Sequence, residues 1–213
     1  MAVLFGIQSL LEELNAVSTE LDVCDYIVPP EVKESIPGAI ESVPEQLFVA
    51  ETEDCMELAL YIEPQILAAL QQDRPQARLH NGNLENFCIA LEGVSHFVKV
   101  VWIAQSGREV TALELEIQAE VDKFIGAWGL LEEQGMPRRR AARALKKLLF
   151  ERYDVRDEVP PAEAERYHIA SKVARRFCEQ LEQRYPSDLS HNRVLRDARN
   201  FYRSGLQSML RMH

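Results

Sequence analysis

The chain has 213 residues, of which 46% are apolar and 27% charged, and its formal net charge is −10. This composition is that of an ordinary globular protein, and we find neither a signal-peptide pattern nor an apolar run of the roughly 18 residues that a membrane helix needs. We therefore expect no membrane association. Cys24, Cys55, Cys88 and Cys178 lie far apart without a CxxC pair, which argues against a structural zinc site and favours a reducing, cytoplasmic location.

Charge is distributed unevenly along the chain. Residues 1–136 contain 24 acidic and 6 basic side chains, whereas residues 137–213 contain 10 acidic and 18 basic ones. The first part therefore has a net charge of −18 and the second of +8. A charge separation of this size is informative about binding partners rather than about the fold. It predicts a protein-interaction or regulatory module that binds a protein partner or associates with itself as a homodimer.

The first 82 residues predict a small α+β region. Apolar residues recur at helical spacing over residues 9–21, and the run at 23–28 has the composition of a strand. Prolines and a glycine predict loops or short turns over 29–46. Two further apolar runs, at 47–50 and 56–62, predict a hairpin. Together the three runs suggest a three-stranded antiparallel sheet.

From residue 64 onward the apolar period is helical. The predicted helices cover 64–72, about 84–105, 111–128, 137–152, 162–185 and 190–210. The short connection after residue 105 implies that the second and third of them pack as an antiparallel pair. One buried cluster is expected between them: Leu91, Val94, Val98, Ile117, Val121 and Phe124. The predicted fold class is α+β, mostly α, with residues 1–82 packed on a helical bundle of 83–213 in one compact unit.

Polar residues interrupt the two central predicted helices at positions that could meet. Glu92 and His96 are one turn apart in an otherwise apolar helix, and Glu109, Glu116 and Glu120 follow one flank of the next helix. If these flanks face each other, Glu92, His96, Glu116 and Glu120 form a candidate metal site of a metal-dependent enzyme. The alternative is a structural ion pair beside a solvated acidic face.

The basic part of the chain suggests a different activity. Two predicted helices place arginines opposite an apolar stripe: Arg139, Arg140 and Arg143 in one, and Arg193, Arg196 and Arg203 in the other. Arginine grips phosphate in a bidentate manner, so these residues are candidates for binding nucleic acid or another phosphoanion. The alternative is that these arginines form a solvated basic surface that compensates the charge of the acidic part of the same molecule. No nucleophile elbow, nucleotide-binding loop, family signature or cofactor is recognisable.

Overall fold

The computed structural model describes residues 2–52, 55–151, 161–185 and 191–211. Within them it confirms the predicted class, since helices predominate and the sheet has two antiparallel strands. In chain order the elements are α1 (Ala2–Asn15), α2 (Pro30–Lys33), β1 (Glu45–Glu51), β2 (Met56–Ile62), α3 (Pro64–Gln72), α4 (Leu84–Ala104), α5 (Ala112–Glu133), α6 (Arg138–Lys146), α7 (Pro161–Arg184), α8 (His191–Arg203) and α9 (Leu206–Arg211).

The helices α4 and α5 form the centre of the protein. Gly107 ends the α4 segment in a left-handed conformation with φ 62°, which suits glycine because it has no Cβ. The Thr111 hydroxyl then accepts a hydrogen bond from the Glu114 amide and caps α5. This short connection folds α5 back along α4. The other side of α5 packs against α7, so polar residues on both of its flanks lie inside the protein.

Helix α4 is long and apolar enough to cross a bilayer by composition alone. Its most apolar 18-residue window has a mean hydropathy of 1.6, but 78% of that window is buried inside the protein. The apolar surface of α4 is thus covered by α1, α3, α5 and the hairpin, as in the core helix of a folded domain.

The N-terminal elements cover one side of this helix pair. Helix α1 packs on α4, α5 and α8, and the β1–β2 hairpin packs on α4. The hairpin register pairs Glu45 with Ile62 at one end and Glu51 with Met56 at the other. This register places the first residue of β1 against the middle of α4.

The prediction of a third strand is wrong. Residues Val23–Tyr26 form a 3₁₀ turn that begins where the Asp22 carboxylate accepts a hydrogen bond from the Cys24 amide. The run contacts the sheet only at its end, where Ile27 forms a single parallel bridge to Leu60 and the Val28 amide donates to the Leu60 carbonyl. An aspartate cap at one end and a proline pair at the other leave too few residues for a strand.

The predicted C-terminal helices also differ in detail. The helix after Pro137 changes to a π-helical turn at Lys147–Glu151. The predicted last helix is two helices, because the Ser204 hydroxyl donates a hydrogen bond to the Phe201 carbonyl and Gly205 interrupts the chain before α9. The link expected around 154–161 and the break expected at 186–188 lie mainly outside the described residues.

All six residues expected between the central helices are buried in one apolar core. Val98→Ala and Ile117→Ala should therefore each lower the free energy of unfolding by about 1 to 4 kcal/mol, because each leaves a cavity in a packed interior. Chemical denaturation would measure this. A matched control is Val32→Ala, since Val32 is 41% exposed and its replacement should cost less than about 0.5 kcal/mol. Equal effects at Val32 and Val98 would contradict the assigned core.

Candidate metal centre

The antiparallel packing of α4 and α5 brings Glu92, His96 and Glu116 together. The His96 Nε2 atom lies 3.7 Å from Glu116 Oε2, and one ligand atom from each of the three residues lies within 4.8 Å of the other two. Ligands bound at about 2.1 Å to one ion are at most about 4.2 Å apart. Small side-chain shifts would thus place all three on one ion. Both His96 and Glu116 are more than 90% buried.

The fourth residue of the predicted set, Glu120, is held by a lysine. Lys123 Nζ donates to Glu120 Oε1 at 2.6 Å and to Glu92 Oε2 at 2.9 Å. Glu120 therefore lies beside the three-residue cluster and supplies a partner for Lys123. Glu109, which was expected on the same flank of α5, is exposed to solvent.

Two further charged residues, which the sequence interpretation did not identify, complete the site. Glu45 reaches it from the start of β1, and its Oε2 atom is buried without a hydrogen-bond partner among the described residues. Arg166 reaches it from α7, with Nε 3.4 Å from Glu116 Oε1. The close approach of Glu45 depends on Gly93, because a Cβ there would lie 2.7 Å from Glu45 Oε2. A glycine inside a strongly helical sequence was the available signal for such an approach.

The site has more carboxylates than cations. Within the described part of the chain, two cationic side chains, Lys123 and Arg166, lie within salt-bridge distance of the cluster. Four carboxylates occupy it: Glu45, Glu92, Glu116 and Glu120. If all were ionised, they would leave two negative charges in the interior without a counter-charge, and such a state is costly.

The pKa values follow from this imbalance. Burial raises the pKa of Glu116 to about 8, and repulsion from Glu92 adds to the effect. Burial likewise raises the pKa of Glu45 well above its usual value, with further repulsion from Glu92 and Glu116. Burial lowers the pKa of His96 to about 4. At neutral pH the imidazole is therefore neutral, which is the form that binds metal ions.

Lys123 compensates part of the negative charge. Burial alone would lower its pKa, but Glu120 and Glu92 outweigh burial and raise it well above the usual value. Burial would also raise the pKa of Glu92, yet Lys123 outweighs that effect and leaves the Glu92 pKa below its usual value. Among the four carboxylates of the site, Glu92 is thus the one whose pKa its surroundings lower.

A cavity of about 250 Å³ lies beside the cluster. Glu45, His96 and Glu116 line one side of it, and Arg166 and Tyr167 of α7 line another. The remaining walls are largely apolar and come from the loop before β1, from β1 and from the start of α5: Ile40, Val43, Leu47, Val49 and Leu115. The cluster therefore has an accessible side.

The chain matches no protein-family model, no curated protein and no solved structure. The function of the cluster is therefore inferred from its geometry and chemistry.

A second polar network is formed by neighbouring residues of the same two helices. The Asp122 carboxylate accepts hydrogen bonds from Ser95 Oγ at 2.7 Å, Gln118 Nε2 at 2.8 Å and Asn15 Nδ2 at 3.2 Å. Beside it, Lys99 Nζ donates to the Tyr202 carbonyl and lies 3.6 Å from Glu114 Oε1. These contacts tie α1 and α8 to the central pair. Several buried oxygens of this network, namely Gln118 Oε1, Glu114 Oε1 and Tyr202 Oη, have no hydrogen-bond partner among the described residues. Within the same part of the chain, the network does not form a second cluster of metal-ligand groups.

The six arginines predicted to bind an anion are all exposed but differ in their contacts: Arg139, Arg140, Arg143, Arg193, Arg196 and Arg203. Arg196 Nε lies 3.5 Å from Asp197 Oδ1. Arg203 instead donates to the carbonyls of Asn15 and Ala16, at 3.1 and 2.9 Å, and so caps the C-terminal end of α1 together with Arg199, which donates to Leu14 and Glu13. The guanidinium of Arg203 is thus already occupied by backbone oxygens.

Lys99 makes the stability of the protein depend on pH. Burial lowers its pKa to about 8, so between pH 8 and its usual pKa the unfolded chain binds a proton that the folded chain has released. Stability from this group therefore increases as pH rises. Relative to Lys99→Met, the wild type should gain roughly 1 to 2 kcal/mol of unfolding free energy between pH 8 and pH 9.5, measured by denaturant titration.

Wild type has to be compared with Lys99→Met because burial also raises the pKa values of the Cys88 and Cys178 thiols. Those thiols decrease stability over the same pH range, and they do so equally in both proteins. A stability difference between wild type and Lys99→Met that does not change with pH would contradict the assigned state of Lys99.

Proposed function

We propose that this protein is a metal-dependent enzyme whose divalent ion is bound by Glu92, His96 and Glu116. The observation that carries the proposal is the buried convergence of these three ligand groups within 4.8 Å. The His96 Nε2 atom is buried and has no hydrogen-bond partner among the described residues, although a buried imidazole nitrogen normally has one. One imidazole with two carboxylates suits a divalent ion such as Zn²⁺, Mn²⁺ or Fe²⁺.

The charge of the site supports a divalent ion. Four carboxylates and two cationic side chains leave an excess of two negative charges, which one divalent ion balances. Each of the two carboxylates uses one oxygen for a cationic side chain and keeps the other for an ion. Lys123 contacts Oε2 of Glu92, and Arg166 contacts Oε1 of Glu116. The second oxygen of Glu116, Oε2, faces His96. Lys123 and Arg166 thus orient the ligands, as outer partners do in metal sites.

The cavity favours a catalytic role over a structural one. Structural zinc sites are closed by four protein ligands, whereas catalytic sites have three and leave a position for water or substrate. Here three ligands converge and two of them line an open cavity. An ion in that position can act as a Lewis acid or lower the pKa of a bound water.

The other predicted functions have weaker support. Binding of a protein partner, self-association and phosphoanion binding by the exposed arginines of α6 and α8 remain predictions. The acidic excess that suggested charge-driven association is partly internal, since Glu114, Glu116, Glu120 and Asp122 are all buried. Some basic residues are also paired within the chain, such as Arg184 with Asp197.

Metal binding tests the proposal directly. Protein stripped with chelator should bind one equivalent of Zn²⁺ or Mn²⁺ per chain in a calorimetric titration. His96→Gln and Glu116→Gln should each weaken that binding by about a hundredfold or more, because each removes one of three ligands. His80→Gln and Glu109→Gln are matched controls, since His80 is 40% exposed and pairs with Asp73 and Glu109 is exposed. Neither should change the affinity.

The structural alternative predicts a different result. If Glu92 and His96 serve only as a packed polar pair, His96→Gln lowers the free energy of unfolding and leaves any zinc affinity unchanged. Circular dichroism on every variant separates loss of ligand from loss of fold. Unchanged affinity in both folded site variants would overturn the proposal.

The open coordination position can be tested separately. Co²⁺ bound to the site should give a visible absorption spectrum that changes when azide is added, because azide takes the position facing the cavity. A spectrum indifferent to azide would indicate a closed structural ion.

A further inference from the structure

We propose that the cavity beside the metal centre binds a small carboxylate with an apolar body, an inference that rests on the proposed metal site. Three kinds of wall meet in this cavity. His96 and Glu116 present the open side of the ion, Arg166 presents a cation, and the loop before β1, β1 itself and the start of α5 present apolar side chains. Each wall matches one part of such a ligand.

The size of the cavity limits the ligand. A volume of about 250 Å³ lies at the lower end of the range typical of ligand pockets, so the cavity suits a small ligand. A peptide, a nucleotide or a sugar chain would extend far outside it. A short or branched aliphatic acid, or a single ring bearing a carboxylate, has the right size.

Arg166 selects for an anion once the ion is present. Its side chain lines the cavity, and among the described residues Glu116 lies within ion-pair distance of it, with Oε1 3.4 Å from Arg166 Nε. A metal ion that shares the charge of Glu116 leaves the guanidinium in need of an acceptor. A ligand carboxylate can place one oxygen on the ion and accept a charge-assisted hydrogen bond from Arg166 with the other.

The guanidinium is also held in place. It lies over the ring of Tyr167, 5.4 Å from the ring centroid, and both residues project from the same helix into the cavity. An arginine stacked on an aromatic ring keeps its plane and loses less freedom when it binds a ligand.

The apolar walls decide between a bare anion and one with a hydrocarbon part. Ile40, Val43, Leu47 and Leu115 line the cavity together with the charged groups. Phosphate or acetate would leave these side chains against water, whereas a hydrocarbon body would cover them and gain the corresponding hydrophobic free energy.

The net charge argues against a cationic ligand in the metal-bound protein. Without an ion, the excess of acidic groups would attract an amine. With a divalent ion bound, the charges of the four carboxylates are balanced by the ion, Lys123 and Arg166. The net charge of the site therefore no longer attracts an ammonium group, and the ion and Arg166 repel it.

The experiment uses the Co²⁺-loaded full chain and four probes: benzoate, benzyl alcohol, benzylamine and inorganic phosphate. Benzoate should bind with one-to-one stoichiometry and change the cobalt spectrum. Benzyl alcohol, which has the same ring without the charge, and phosphate, which has charge without the ring, should each bind at least tenfold more weakly. Benzylamine should not bind the loaded protein.

A variant pair isolates the arginine. Arg166→Gln should weaken benzoate binding at least tenfold while cobalt absorbance at saturating metal is retained. Arg175→Gln is the matched control on the same helix, since Arg175 is 45% exposed and pairs with Glu179, and it should leave benzoate affinity unchanged.

Each other outcome is decisive. Equal benzoate affinity in wild type and Arg166→Gln, preferential binding of benzylamine, or phosphate binding as tight as benzoate would overturn the inference. If the protein holds cobalt but does not bind benzoate, the carboxylate site is overturned and the proposed metal site is not. Failure of cobalt to bind at all overturns the metal site and the carboxylate site together.

Discussion

The structure depends on how negative charge is accommodated between α4 and α5. Lys123 holds Glu92 and Glu120 in an interior where an unpaired charge would cost several kcal/mol, and removing one partner of such a pair typically costs about 3 to 5 kcal/mol. One lysine cannot neutralise the four carboxylates of the site. Arg166 of α7 adds a second cation, and protons or the proposed divalent ion would balance the remaining excess.

This constraint explains why the site needs four elements. The central helices supply the three proposed ligands, β1 brings Glu45 against the gap left by Gly93, and α7 brings Arg166 beside Glu116. The same packing leaves a cavity where the hairpin, α5 and α7 meet. Other buried charged groups lie outside this site: the Asp122 carboxylate accepts hydrogen bonds from Ser95, Gln118 and Asn15, and Lys99 lies beside Glu114.

Part of this arrangement could be predicted because it depends on helical period. Glu92 and His96 are one turn apart, and a short connection with Gly107 had to fold α5 back along α4, so the meeting of Glu92, His96 and Glu116 follows from local pattern. Glu45 and Arg166 could not be predicted in the same way. They arrive from distant parts of the chain, and their positions depend on hairpin register and on the packing of α7, which no local period encodes. The missed break at Gly205 and the missing third strand show the same limit, since a capping aspartate or a single glycine decided the local structure.

The most direct measurement is X-ray absorption on the Zn²⁺-loaded protein, because it identifies the ligand atoms themselves. Our account predicts a shell of nitrogen and oxygen at about 2.0 to 2.2 Å, with the outer scattering of one imidazole. Cys88, one turn before Glu92, is the alternative ligand that this measurement would detect. Burial raises the pKa of its thiol to about 12, so the thiol is protonated and is a poor ligand. A sulfur scatterer at about 2.3 Å, or a shell without an imidazole, would contradict the proposed centre.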